Sequence, residues 1–268
     1  MHLKVLIDNN TYIDEYYWGE PGVSYYIEDI GEAFLFDVGY SDLILRNAKS
    51  MNVDLETIKT IVLSHGHDDH TRGLKSFFKL KNHADLKIVA HPDAVLHKED
   101  DGLTISAPFS KKEIENHCVL QLSKKPVKVS ENITFLGEIP RTIDFERPKA
   151  IGKQWVDGKW VDDYLLDDSA LVYQSSKGIY IITGCSHSGI CNIIEHAKVV
   201  SGDKRVCGII GGFHLFEVTD QVTQTIEYLR KNKTSEILPC HCTSFAVKSA
   251  IHNALPIREV GVGLELDW

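Results

Sequence analysis

The chain has 268 residues, 43% hydrophobic and 25% charged, enough for one large or two small domains around a sizeable core. A formal net charge of −9 argues against unspecific binding to nucleic acid or to an anionic membrane, both of which call for basic surface. It does not exclude an anionic substrate, because divalent cations in a site reverse the local field.

Six cysteines, at 118, 185, 191, 207, 240 and 242, are scattered apart from the last pair, so free thiols are expected. The first residues show no long apolar run with a small-residue cleavage site, and no stretch approaches membrane-spanning length. A cytoplasmic location is the expectation.

Leu3 to Ile7 is an apolar opening strand. Residues 11–20 follow, with Tyr12, Tyr16, Tyr17 and Trp18 close together. They either pack as a loop onto the body or form one wall of a substrate pocket. Ser24–Glu28 and Ala33–Phe36 read as a hairpin. Ser41-Asp42 can cap a helix to about residue 50, and Asn52 to Lys59 reads as a second short helix.

The β-branched run Ile61-Val62-Leu63 reads as a short buried strand, ending in Ser64-His65-Gly66-His67-Asp68-Asp69-His70-Thr71. Imidazole and carboxylate are the ligands of borderline divalent metals, and here three of one and two of the other are crowded together. His65 and His67, two apart in an extended segment, can point the same way onto one ion. Asp69 and His70 then face a second, as two-metal hydrolytic sites require.

Beyond that turn, Leu74–Phe78 has helical apolar spacing and Lys87–Ala90 is a strand running into His91-Pro92. His91 could line the site, although a strand-end histidine before proline is more often structural. Residues 92–118 are charged helix or loop, and Val127–Phe135 suggests two short strands. Residues 137–167 break the regularity and read as a lid or substrate insertion. Within them Arg141 and Arg147 can pair with phosphate or carboxylate, ordinary surface ion pairs being the alternative, and Trp155 can contact a substrate ring.

Ala170–Tyr173 and Ile179–Ile182 form a strand pair that delivers Thr183-Gly184-Cys185-Ser186-His187 ahead of a helix at about 189–200. Val206–Ile210 ends in Gly211-Gly212-Phe213-His214, and a helix runs from Thr219 to about Lys231. Ile237-Leu238 ends in Pro239-Cys240-His241-Cys242-Thr243. A helix to about Asn253 and a strand from Glu259 to Leu266 close the chain. The strand–helix alternation recurs after residue 165, which suggests two halves of one sandwich.

Four strands therefore end in histidine-bearing turns, and strand tips on one edge of a sandwich converge. His65, His67 and His187 are expected to hold one divalent ion, and Asp69, His70 and His241 another. Asp69 is expected also to orient the attacking hydroxide and take up its proton, with His214 as an outer acid of near-neutral pKa. Cys240 and Cys242 alternate with His241, so an extended backbone turns both away from it.

The pattern His-x-His-x-Asp-His, with Phe36-Asp37-Val38-Gly39 before it and Thr183-Gly184-Cys185-Ser186-His187 after it, resembles the metallo-β-lactamase superfamily. Gly-Cys-Ser-His, Gly-Gly-Phe-His-Leu and Pro-Cys-His-Cys-Thr are similar to a subgroup labelled metal-dependent hydrolases or dihydropterin–ribofuranosylaminobenzene phosphate synthase-like proteins. The resemblance covers nearly the whole chain. It implies one α/β domain over residues 1–268, a four-layer αβ/βα sandwich of two sheets flanked by helices. It implies that Asp37 braces the metal turn. It also places a bridging aspartate where this sequence has Cys185. Cys185 as thiolate, Asp168 reaching in, or a solvent hydroxide alone are the alternatives for that bridge.

The expected function is a metal-dependent hydrolase of a phosphoester or other ester, acting on a small molecule, anionic ones included, through metal-activated water. Two divalent ions are expected, zinc by default with iron or manganese as alternatives. A synthase-like transferase joining a pterin methyl to a ribofuranosylaminobenzene phosphate is the second reading. A non-catalytic or redox metal-binding module is the third.

Overall fold

The computed structural model describes residues 1–80 and 85–268. Most strands carry apolar residues at consecutive positions, which is the pattern of strands covered on both faces. Seven strands form the first sheet, in the order Glu265–Asp267, His2–Ile7, Ser24–Asp29, Glu32–Phe36, Thr60–Val62, Lys87–Ala90 and Val119–Leu122. From Glu32–Phe36 onward its neighbours are parallel. Six strands form the second, in the order Glu236–Cys240, Val206–Gly212, Gly178–Thr183, Ala170–Ser175, Ile133–Phe135 and Val127–Lys128, the first three parallel to one another.

Successive side chains along a strand point to opposite faces, and that alternation sorts the apolar residues into layers. Val5, Tyr25, Ile27, Phe36 and Val62 meet Phe135, Leu171, Tyr180, Ile182 and Ile210 between the sheets. On the outer face of the first sheet, Leu6, Leu35, Ile61 and Ile88 pack with Ile44 and Ala48 of helix Leu43–Ser50. On the outer face of the second, Ile179, Ile181, Ile209 and Ile237 pack with helices Ile190–Ser201, Asp220–Lys231 and Phe245–Ala254. The result is the expected four-layer αβ/βα sandwich. No helix among the described residues is long and apolar enough to cross a membrane.

Three stretches differ from their sequence reading. Asn52 to Lys59 holds only a single 3-10 turn, Leu55–Thr57: Asp54 caps its start through the Glu56 amide, and Ile58 is already extended ahead of strand Thr60–Val62. The closing strand is confined to Glu265–Asp267; Gly263, at a φ of 95°, turns the residues before it out of the ladder. The stretch 137–167 contains a hairpin, Lys153–Val156 with Lys159–Asp162, which extends Lys98–Asp100 and Leu103–Thr104 into a third, four-stranded sheet.

Candidate metal centre

Parallel strands present their carboxyl ends on one edge, where open α/β sheets form their sites. Thr60–Val62 leads into the His65–His70 turn, Gly178–Thr183 into Cys185 and His187, Val206–Gly212 into His214, and Glu236–Cys240 into His241. The two sheets touch at these tips. A Cβ on Gly184 would lie 2.3 Å from Ser64 Oγ, so this close approach requires glycine. Asp37, Ser186, His214 and His241 all hold positive φ, of 59°, 62°, 49° and 49°. Such backbone is sparsely populated and clusters at functional sites.

Three rings are fixed through Nδ1. His70 Nδ1 donates to Asp37 Oδ2 at 2.7 Å. Ser64 Oγ donates its own proton to the same carboxylate at 2.6 Å, so it accepts from His65 Nδ1 at 2.9 Å. His241 Nδ1 donates to Asn9 Oδ1 at 2.7 Å. With Nδ1 protonated, each ring turns its Nε2 inward, as oriented metal ligands do. His187 Nε2 lies 3.3 Å from His65 Nε2, and His70 Nε2 lies 3.2 Å from His241 Nε2. Two nitrogens about 2.0–2.1 Å from a tetrahedral ion are roughly 3.3 Å apart, so both pairs match the edge of such a polyhedron.

The donor atoms fall into overlapping groups, each with all its atoms within 4.8 Å of one another. One holds Asp69, His70, Cys185 and His241; a second holds His65, Cys185 and His187; a third holds His65, His67 and Asp69. All six expected histidine and aspartate ligands fall in these groups, but not in the expected partition: Asp69, His70 and His241 share one, whereas His67 joins His65 and Asp69 rather than His187. Cys185 belongs to two of the groups, with its Sγ 3.1 Å from His70 Nε2. Asp168 belongs to none: its Oδ2 accepts from the Ser188 amide at 2.9 Å and from the Ser188 hydroxyl, holding the turn that carries His187.

Charge in the cluster is uneven. Burial pushes His65 and His187 well below the usual imidazole range and His67 down to about 4, so all three keep lone pairs at neutral pH. Burial opposes ionisation of Asp69, but His70 and His241 outweigh it and hold the carboxyl well below its usual range. Burial likewise opposes a charge on His70, yet Asp69 and Asp37 raise it to about 9. The His70–His241 contact thus calls for positive charge between its nitrogens. His67 Nε2 and His187 Nδ1 are buried without a hydrogen-bond partner. Orphaned imidazole nitrogens beside a carboxylate and a thiol fit a borderline divalent cation.

A cavity of about 390 Å³ lies over the cluster, within the range of small-molecule sites. A second of about 460 Å³ adjoins it and shares His187, His214 and Phe216. A larger one, about 550 Å³, sits to the side beneath Arg72 and shares Asp68 with the first; it holds none of the clustered donors. Arg147 lines the second cavity. Arg141 instead donates to the carbonyls of Tyr164 and Leu165 at 2.5 and 2.8 Å, which fastens the 137–167 stretch to itself. Trp155 packs edge-on against Trp160, ring centroids 5.2 Å apart, and lines neither cavity over the donors. Nor do Tyr12, Tyr16, Tyr17 or Trp18, and Tyr12 donates to Glu259 O.

The His214 ring lies tilted against that of His187, centroids 4.2 Å apart, and burial followed by His241 pushes it down to about 4, well short of the near-neutral value expected of an acid. His91 is structural: its ring meets Glu138 Oε2 and accepts from the Asp93 amide. Cys240 turns into the core onto the Tyr25 hydroxyl at 3.3 Å. Cys242 does not turn away. The left-handed His241 breaks the alternation, and Cys242 Sγ reaches Cys185 O at 3.5 Å and lines the first cavity. Sequence reasoning also passed over Asn9, Lys98, Asp163 and Asp167, which carry no motif; only the run Asp8-Asn9-Asn10 at a strand end offered a signal.

A family model for the metallo-β-lactamase superfamily matches residues 17–241. The chain belongs to the metallo-β-lactamase superfamily. An uncharacterised protein of Methanocaldococcus jannaschii is 37% identical over 248 residues, covering 91% of each chain. From the same organism, 7,8-dihydropterin-6-methyl-4-(β-D-ribofuranosyl)-aminobenzene-5'-phosphate synthase is 33% identical, covering 87% of this chain and 84% of its own. A solved metal-dependent hydrolase of the β-lactamase superfamily superposes with a TM-score of 0.85 at 24% identity, over 100% of this chain and 99% of that one. This member of the superfamily thus has a relative named as a synthase and shares its fold with a protein named as a hydrolase.

Proposed function

We propose that this metallo-β-lactamase-superfamily protein is a metal-dependent hydrolase of a phosphoester or other ester, with a two-cation site. The observation that carries the reading is the pair of Nε2–Nε2 approaches, 3.3 and 3.2 Å, flanking the Cys185 thiol. His65, His67 and His187 would hold one divalent cation, zinc by default, and Asp69, His70 and His241 the other, with the Cys185 thiol available to either. Such ions lower the pKa of bound water from about 15.7 to roughly 7 and polarise an electrophile.

The chain's own groups do the rest. Asp69, ionised and within 3.3 Å of His241 Nε2, takes up at Oδ2 the proton released as the nucleophile forms. His214, neutral at pH 7, serves as an imidazole N–H donor to a developing oxyanion. Arg147, in the adjoining cavity, attracts an anionic substrate tail.

A second reading has one specific observation behind it: the 33% identical relative named as a phosphate synthase. In that case the same cavities would receive a pterin and a ribofuranosylaminobenzene phosphate. Metal analysis of purified protein, followed by chromogenic phosphodiesters, phosphomonoesters and lactones, tests the first reading. About two equivalents of metal and a turnover abolished in Asp69→Ala are expected. Metal-free folded protein, or an Asp69→Ala variant as active as the wild type, would rule it out. Pterin diphosphate binding without any ester turnover would move the conclusion to the synthase.

A further inference from the structure

Lys98 is fully buried, as are its two partners, and none of the three belongs to a donor group of the centre. Its Nζ donates to Asp163 Oδ2 at 2.7 Å and to Asp167 Oδ1 at 2.9 Å. Taking an ammonium and two carboxylates out of water is costly, and apolar residues of similar volume often do as well for stability. The trio therefore invites the question of what it holds in place.

Asp167 turns its other oxygen, Oδ2, onto the Gly66 amide at 2.8 Å. Gly66 is the residue between His65 and His67. A backbone route reaches the far side of His67: the Ile105 amide donates to Lys98 O at 3.1 Å, and the Asp68 amide donates to Ile105 O at 2.9 Å. Lys98 thus grips the turn on both sides of one histidine. The turn has little slack, since a Cβ on Gly66 would fall 2.4 Å from Ala94 O. Asp163 serves a different end. It closes the 153–162 hairpin, and its Oδ1 accepts from the Leu165 amide at 2.8 Å.

We propose that Lys98, acting through Asp167, is a positioning residue that sets the Gly66 peptide and thereby the common aim of His65 and His67. This rests on the reading of those two histidines as ligands of one cation. Burial opposes charge on both partners, yet each keeps the other ionised: Lys98 is raised by Asp167 and Asp163, and Asp167 is lowered by Lys98. The link is therefore a charge-assisted contact, stronger and more directional than a neutral one.

The test uses the full chain, stripped with chelator and titrated with Co2+, read by d–d absorption and calorimetry. Lys98→Met and Asp167→Asn are expected to weaken Co2+ binding at the His65/His67 position 10–100-fold, the usual cost of losing an outer partner. Their d–d bands should shift, and the double variant should bind no worse than the weaker single. Asp163→Asn, which leaves the Asp167–Gly66 contact in place, should lower Tm with less than a threefold change in affinity. Should Lys98→Met fail to fold, Asp167→Asn, which keeps an acceptor for Gly66, answers the same question. Variants that melt early yet bind Co2+ with wild-type affinity and spectrum overturn the proposal alone. Wild-type protein that binds no Co2+ overturns the metal reading, and the proposal with it.

Discussion

Asp37→Asn is the sharpest probe of how the centre is built. The change is nearly isosteric, and asparagine tolerates the positive φ of 59° at this position, so backbone strain is not the variable. The fully buried carboxylate accepts from the Ser64 amide at 2.7 Å, from Ser64 Oγ at 2.6 Å and from His70 Nδ1 at 2.7 Å. An amide has one acceptor oxygen. With that oxygen kept on the Ser64 amide, the NH2 group faces the hydroxyl and the imidazole. Ser64 Oγ can rotate and accept, but His70 must give up its Nδ1 proton and keep one on Nε2. There the proton occupies the position shared with Cys185 and His241. Losing a hydrogen bond to a charged group costs roughly 1.5–3 kcal/mol of stability. Losing the partner that orients a ligand costs about 10–100-fold in metal affinity. Urea titration of chelator-treated protein reads the first, and calorimetric Zn2+ titration the second. The loss should fall on the ion held by Asp69, His70 and His241, with the other changed less. Wild-type affinity at both positions would refute the reasoning.

Cys185→Ser should weaken both cations and remove the thiolate-to-metal charge-transfer absorption of Co2+-loaded protein; an unaltered near-ultraviolet band would show that the thiol is not a ligand. Burial raises Asp168 from the ordinary 3.8 to about 6, so its ionised form destabilises the folded chain. That penalty is absent below about pH 4, grows as pH rises, and is complete above about pH 6, at roughly 3 kcal/mol. In chelator, Asp168→Asn should therefore be more stable than wild type at pH 8 and equal to it near pH 4; a difference independent of pH would contradict the assignment. Arg141→Ala should lower Tm with little change in KM, because its guanidinium holds the carbonyls of Tyr164 and Leu165, whereas Arg147→Ala should raise KM for an anionic ester with kcat retained. The reverse pattern would exchange their roles.

Much of the candidate site was legible because its donor residues come from strand tips. A short β-branched run followed by clustered imidazoles announces both a strand end and a donor set, and four such tips in one chain converge once the sheets are parallel. The miss at Cys242 has a definite cause. Alternation holds only for extended backbone, and His241 sits at a φ of 49°, which swings the next side chain back toward Cys185. Trp155 misled for another reason: an aromatic residue in a long loop looks free until its strand pairing with Trp160 is known.

By itself the sequence determined the layers and the ligand types, since these depend on local periodicity and on the chemistry of residues adjacent in the chain. The tertiary structure alone decided which side chain joins the donor groups and what steadies those groups. Cys185 rather than Asp168 meets His70, and Lys98 reaches Gly66 through Asp167, because those contacts join residues 69 to 115 positions apart through burial that no local pattern encodes.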